Sequence, residues 1–385
     1  MKLSAGVLAA AAAIGLSAVG VTDAQQTQPR CSSVYTRKEL LSLTPTEWNT
    51  VSGVLRTMQN QGWFAWFAYL HTNWFSQIHS QSQFFPFHRR FVYEWERVAR
   101  QYNPAYVQPY WDEMRDYRAP ATSAVLSSNW VGSNGQGTNR CVMNGVQGGW
   151  TMSYLGNHCL QRNFARSGNL GPWYSPEYIT SIIQRAPNMT VFRPQIEFSL
   201  HGIVHIETGG DMATRASVND WIFMLHHTNI DRLWWQWQQN GHLWTMDGPN
   251  WDGTQISLNT NIAYFNEPIR NVMQLGYGQM CYQYATNPLS RRSLIGGVEN
   301  LISSVLPPDV LHKWFPDSAK VPSITFAPGA KPPPPSNGKV IPYPREIPDS
   351  WIVSMGNDLA NAKNARADAR NFVEAMNKAG YKSPY

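Results

Sequence analysis

The sequence predicts a mainly α fold, an antiparallel helical bundle with long loops and few short strands. Three observations predict it. Apolar residues recur at helical spacing in several long segments. Good capping residues open those segments, and alternating strand patterns are sparse. At 385 residues, the chain is long enough for one large domain with a full core.

The elements follow in order. Thr44-Pro45-Thr46-Glu47, then Trp48, Val51, Leu55 and Met58, spell a capped amphipathic helix over 44–60. Residues 62–80 continue the helical pattern with Trp63, Trp66, Phe67 and Leu70. A third helix is expected over 87–101, with Pro86 at its start, where a missing N–H costs nothing. Residues 130–175, rich in Gly, Asn and Ser, read as a long loop region. Two more helices are expected at 198–207 and 219–239. The second opens at Asn219-Asp220 and stops at Asn240-Gly241. Residues 321–349 are proline-rich and read as an extended linker or surface wrap, before a last helix over 350–379. No repeat of solenoid spacing occurs.

Composition narrows the function. With 17 Trp, 17 Tyr and 15 Phe, the chain has a stiff, wide core or a site that stacks flat ligands. Its formal charge of +6 comes without a Lys/Arg run, because Arg89-Arg90 and Arg291-Arg292 are isolated pairs. No nucleic-acid partner is expected. At the N-terminus, Lys2 precedes an apolar stretch over 5–21 and the small residues around Ala24, the layout of a secretory signal peptide over 1–24. A membrane anchor is the weaker reading, since the stretch is Ala/Gly-rich and short for a span. The expected organisation is a leader (1–24), a catalytic domain (25–290), and a proline-rich wrap with a C-terminal helix (291–385). The mature protein should be secreted and extracellular, with no membrane partner. Nothing in the sequence fixes an oligomeric state.

Export makes the four cysteines legible. Cys31, Cys141, Cys159 and Cys281 include no Cys-x-x-Cys pair, so disulfides fit better than thiolate metal binding. Three connectivities are possible; we favour Cys141–Cys159, closing the Gly-rich loop, and Cys31–Cys281, tying the N-terminus to a late segment. Asn188-Met189-Thr190 is a glycosylation sequon at Asn188.

The histidines carry the chemistry. His79 and His88 flank the run Phe84-Phe85-Pro86-Phe87, and His71 lies just upstream. His201 and His205 stand at i and i+4, so both imidazoles share one helix face. His226 and His227 follow in the next helix. The zinc-protease helix shares this spacing but needs a glutamate after its first histidine; here that position is Gly202. The zinc-hydrolase reading therefore loses its base. Imidazole suits zinc, copper, iron and nickel alike. A carboxylate-bridged di-iron bundle needs Glu-x-x-His motifs on paired helices, which are absent, so a dicopper centre fits two all-imidazole sets better.

The stretches "FFPFHRRFVYEWE" and "NDWIFMLHHTNIDRLWWQWQ" resemble the two copper-binding signatures of the type-3 copper polyphenol oxidases, the tyrosinase and catechol oxidase family, in its short secreted fungal type. Phe84, Pro86, His88, Arg89 and Glu96 fill the first pattern. Asp220, Phe223, His226, His227, Asp231 and Arg232 match the second, with Trp221 where proline is usual. "PYWD" at 109–112 and Tyr282-Gln283-Tyr284 also match, so the resemblance spans roughly residues 30 to 290.

The resemblance implies two copper ions, the first held by His71, His79 and His88 and the second by His201, His205 and His227. It makes His226 a supporting residue. The family's cysteine–histidine thioether is not expected, because Gln77 stands two before His79. Glu197 is similar to the family glutamate that holds a water and helps deprotonate the phenol, and Phe84 to the phenylalanine packed over a ligand imidazole. Gly202, Ile206 and Thr214 correspond to residues shaping the substrate mouth. Asparagine at the position of Gly202 marks many monophenol hydroxylases. The implied activity is therefore oxidation of o-diphenols (catechols) to o-quinones by O2, with weak or no monophenol hydroxylation, which Gly202→Asn would be expected to raise. A small Thr214 implies a wide entrance. The alternatives are a tyrosinase with full monophenolase activity, an o-aminophenol oxidase and, more remotely, a hemocyanin-like oxygen carrier.

Overall fold

The computed structural model describes residues 28–285, 302, 305–317 and 338–385; the expected leader and the Lys331–Pro335 run lie outside these. Helix α1, Pro45–Asn60, starts at a complete capping box. Thr44 Oγ1 accepts from the Glu47 N–H, and the Glu47 carboxylate accepts from the Thr44 N–H at 2.8 Å. Helix α2 runs Trp63–Ile78 and α3 runs Phe84–Tyr102. The start of α3 at Phe84 corrects the expected 87. Pro86 is inside the first turn, where backbone N–H groups have no partner within the helix to lose.

Two helices before the second histidine group escape the sequence reading. They are α4, Pro176–Arg185, capped by Ser175, and α5, Met189–Ile196, capped by Asn188. Pro194 lies inside α5, and a widened π turn over Glu197–His201 follows, with Ser199 out of helical dihedrals. Helix α6, Gly202–Thr208, then resumes. The expected helix at 198–207 is thus the far end of a longer, kinked one. Helix α7 is Ile222–Trp237, α8 is Pro308–Trp314, α9 is Asp349–Met355 and α10 is Leu359–Lys378. The single helix expected over 350–379 is broken at Gly356, whose φ of +77° ends α9 in a left-handed cap.

Strands are few among the described residues. Near the N-terminus, β1 (Tyr35–Arg37) pairs in parallel with β4 (Tyr282–Tyr284), Tyr35 opposite Tyr282. Within the loop region, β2 (Thr151–Met152) pairs antiparallel with β3 (His158–Cys159). Both favoured disulfides are present: Cys31–Cys281 clamps the β1–β4 end, and Cys141–Cys159 staples the loop region.

Helices α3 and α7 pack together in the centre, and a buried polar network fixes them. Asp231 of α7 accepts from Arg89 Nε of α3 at 2.5 Å, from Tyr282 Oη at 2.6 Å and from Tyr284 Oη at 2.5 Å. Arg37 donates to Glu96 of α3 at 2.7 Å, and Glu96 also accepts from the Gln108 N–H. The signature residues Arg89, Glu96 and Asp231 therefore serve as scaffold, joining both central helices to β1 and β4. Around them lie the fully buried rings of Trp95, Trp111, Trp221, Trp234 and Trp237. Among the described residues, no helix is long and apolar enough to cross a membrane.

Candidate metal centre

Four elements carry the histidines to one place. The apolar face of α2 turns His71 inward, the α2 C-cap presents His79, and the first turns of α3 present His88. From the other side, the π turn and α6 supply His201 and His205, and α7 supplies His226 and His227. Two groups result, His71–His79–His88 and His201–His205–His226–His227, each with its candidate ligand atoms within 4.8 Å of one another.

Hydrogen bonds at Nδ1 orient every ring of the two groups except His227, whose Nδ1 is buried without a partner. His71 Nδ1 donates to the Arg215 carbonyl at 2.7 Å, and His88 Nδ1 to the Phe84 carbonyl at 2.7 Å. In the second group, His201 Nδ1 donates to the Glu197 carbonyl at 3.1 Å and His205 Nδ1 to the Met212 carbonyl at 2.8 Å. An Nδ1–H held this way leaves a bare Nε2 lone pair pointing inward, the arrangement of a metal ligand and its supporting partner. The Nε2 atoms converge accordingly: 3.2 Å from His71 to His79, 3.5 Å from His71 to His88, and 3.4 Å from His205 to His227. His201 Nε2 is buried with no hydrogen-bond partner.

Electrostatics agree with this. Burial drives the proton affinity of every one of these rings down, to a pKa of about 3 for His71, His205 and His226 and well below the ordinary value for the other four. Neutral imidazoles so packed would repel a proton but welcome a cation with strong nitrogen affinity. The donor set, all nitrogen with no thiolate, fits copper.

The two groups face each other. His88 stacks on His227 with centroids 4.2 Å apart, and His79 lies over His201 at 5.5 Å. Phe84 is fully buried between them, 4.8 Å from His201 and 4.9 Å from His88. Glu197 also touches both. Its carbonyl holds His201, while its carboxylate oxygens bond to His79 Nδ1 at 3.2 Å, the Ser80 N–H at 2.8 Å and Arg193 at 2.7 Å. The widened turn before His201 permits this double reach. Burial raises the Glu197 pKa, although Arg193 and Ser80 pull it down.

The adjacent histidines of α7 differ. His227 stacks on His88 of the first group, and its ring centroid is 4.1 Å from that of Phe223. His226 is tied outward through Nδ1 to Glu113 at 2.7 Å, and Asn229 donates to the same carboxylate. Sequence reading missed Glu113. The matched "PYWD" stops one residue before it, so the signal was adjacent. It also missed Arg193 and Phe75, whose ring stacks on His79 at 4.1 Å.

The expected mouth residues fare unequally. Gly202 is buried, and a Cβ placed on it would lie 2.6 Å from Ile347 Cδ1. Asparagine would not fit there unless Ile347 moved, which complicates the substitution foreseen above. Ile206 is half-buried against the core. Thr214 is exposed and ends a turn, donating to the Asp211 carbonyl at 2.9 Å. The C-terminal segment meets the chain one residue before it, with Trp351 Nε1 donating to the Ala213 carbonyl at 2.9 Å. Asn188 spends its side-chain oxygen on the α5 cap. His158, His242 and His312 all lie outside both groups.

The family model for the common central domain of tyrosinase matches residues 60–240. The tyrosinase-like protein phomQ2 of Diaporthe leptostromiformis is 32% identical over 272 residues, covering 63% of this chain and 67% of its own. Tyrosinase ustQ of Aspergillus flavus is 29% identical over 310 residues, covering 70% and 84%. Among solved structures, a polyphenol oxidase variant from Thermothelomyces thermophila shares the fold with a TM-score of 0.58 at 21% identity, covering 67% of this chain and 91% of that one. With both signatures folded around two facing imidazole groups, the chain belongs to the tyrosinase family of type-3 copper oxidases.

Proposed function

We propose that this chain is a secreted dicopper oxidase that converts o-diphenols to o-quinones with O2 and hydroxylates monophenols weakly. His71, His79 and His88 hold one copper, and His201, His205 and His227 hold the other, with His226 as a support. The observation that carries this reading is the pair of facing, buried, neutral imidazole groups whose Nε2 atoms point inward. Bound copper supplies O2 binding and the redox couple. Two diphenols give up four electrons and four protons, reducing one O2 to two waters.

The protein's own groups do the rest. Carbonyls of Phe84, Glu197, Met212 and Arg215 lock the rings, so no reorganisation is needed when charge moves. Phe84 and Phe223 keep water from the space between the groups. Glu197 is the buried carboxylate within reach to receive a phenol proton through a water. The diphenol preference rests on Gly202. Gly202 adds no side chain after His201 and its neighbour Ile347 is apolar, so neither holds that water against Glu197 for a monophenol, which must be deprotonated before it can bind.

Oxygen uptake by the copper-loaded protein on catechol and on phenol tests the preference. Fast turnover of catechol with slow, lagging turnover of phenol is expected. Equal rates without a lag would contradict it and favour a full tyrosinase. The alternative o-aminophenol oxidase would show faster uptake on o-aminophenol than on catechol.

A further inference from the structure

The C-terminal segment touches the copper pocket at four points, each next to a ligand or its support. Asn357 accepts from Ser80 Oγ at 3.0 Å, beside His79. Met355 O accepts from the Arg215 side chain at 2.9 Å, and the Arg215 carbonyl holds His71. Trp351 donates to Ala213, next to the Met212 carbonyl that holds His205. Ile347 lies against Gly202, next to His201. The stretch 347–358 therefore spans one side of the pocket.

Ile347 makes the apolar contact of the four, and the residue is firmly held. It is 1% exposed. Its Cδ1 would stand 2.6 Å, and its Cγ1 3.7 Å, from a Cβ at position 202, so it occupies the volume a side chain there would fill. The flanking backbone cannot easily retreat. Arg345 just upstream donates to both Glu207 oxygens at 3.0 and 3.2 Å and its N–H to the Pro172 carbonyl at 2.8 Å. Arg366 of α10 donates to the Ile347 carbonyl at 3.1 Å.

We infer that Ile347 is a specificity-determining residue of the oxidase pocket, supplying from the far end of the chain the wall that Gly202 lacks. This rests on the dicopper oxidase reading above. Its sec-butyl side chain packs against Gly202, the residue that follows His201, so a change in its size changes the space beside that ligand. Position 202 and position 347 then share one volume, and neither can change size independently.

Two readouts test this. The first needs no activity: melting temperatures of wild type, Gly202→Ala, Ile347→Ala and the double variant. Gly202→Ala should destabilise the wild type and do so much less in the Ile347→Ala background, a coupling expected only for side chains in contact. Additive losses would overturn the shared volume. The second compares tert-butylcatechol with catechol. Ile347→Ala should raise the ratio of their kcat/KM values on the order of tenfold, the scale set by a few methylenes of pocket space. A purely structural role would lower both substrates together and leave the ratio unchanged, overturning the inference. Should Ile347→Ala fold poorly, Ile347→Val must shift the ratio in the same direction by a smaller factor. Failure of the oxidase reading is separate, since it shows in the wild type as copper-loaded protein without catechol turnover.

Discussion

At the residue scale, the outcome depends on which nitrogen each imidazole shows the centre. That feature was only half legible in the sequence. The i, i+4 pair His201 and His205 announced a shared face, but the choice of His227 over His226 came from the family signature. The reason is physical: adjacent helical residues point about 100° apart, so a His-His pair can place one ring inward and the other against a neighbour. Here Glu113, far off in sequence, receives the outward ring. His226→Asn should therefore leave two coppers per chain, whereas His227→Asn should leave about one, as elemental analysis will read; the reverse pattern would exchange their roles. Glu197→Gln keeps the shape of the side chain but cannot take a proton. We expect kcat on catechol to fall roughly 10²-fold, the usual contribution of a general base, with both coppers retained.

At the element scale, capped amphipathic helices were easy to read, and α1 and α2 lie close to where the pattern put them. The kinked run from α5 through α6 was not. Pro194 argues against a helix in sequence, yet the π turn absorbs the disruption and uses it to let Glu197 reach His79 while its carbonyl holds His201. Loop elements matter as much. Gly209 and Gly210, with φ of +65° and +55°, pass so close to the carbonyls of Asn163 and Gln161 that any Cβ would collide. That path sets Met212 under His205. Asp211 in the same loop accepts from the Gln161 N–H and pairs with His158 at 2.9 Å. Burial disfavours charge on His158, but its bonds to the Gly156 carbonyl and to Asp211 outweigh this and raise its pKa. A raised folded-state pKa contributes stability that is complete below the unfolded value near 6.5 and lost as pH climbs through the folded value. His158→Gln should accordingly lower the melting temperature by about 2 °C at pH 5.5, on the scale of a partly exposed ion pair. The difference should vanish in alkaline buffer; an equal loss at both pH values would point to packing instead.

At the scale of the whole molecule, the ends of the chain hold the middle. The β1–β4 pair and the Cys31–Cys281 bridge join opposite ends of the described core, and Arg37 ties them through Glu96 and Asp231 to the two central helices. Asp231→Ala would leave Arg89 buried without its carboxylate, and we expect a loss of about 3–5 kcal/mol in urea unfolding. While the division into two ligand sets came from the family signatures, the mainly α bundle and the clustering of its histidines could be read from periodicity and spacing. What covers the pocket could not be. Ile347 has no local pattern, and its role depends on a strap that crosses from α10 to α6. All of these devices serve one arrangement, two sets of imidazole lone pairs aimed at neighbouring points. The most direct measurement is metal content together with oxygen uptake on the same purified sample. Two copper ions per folded chain with catechol-dependent consumption of O2 is the predicted result. One ion per chain, or retention of zinc alone with no oxygen consumption after exchange into copper, would contradict it.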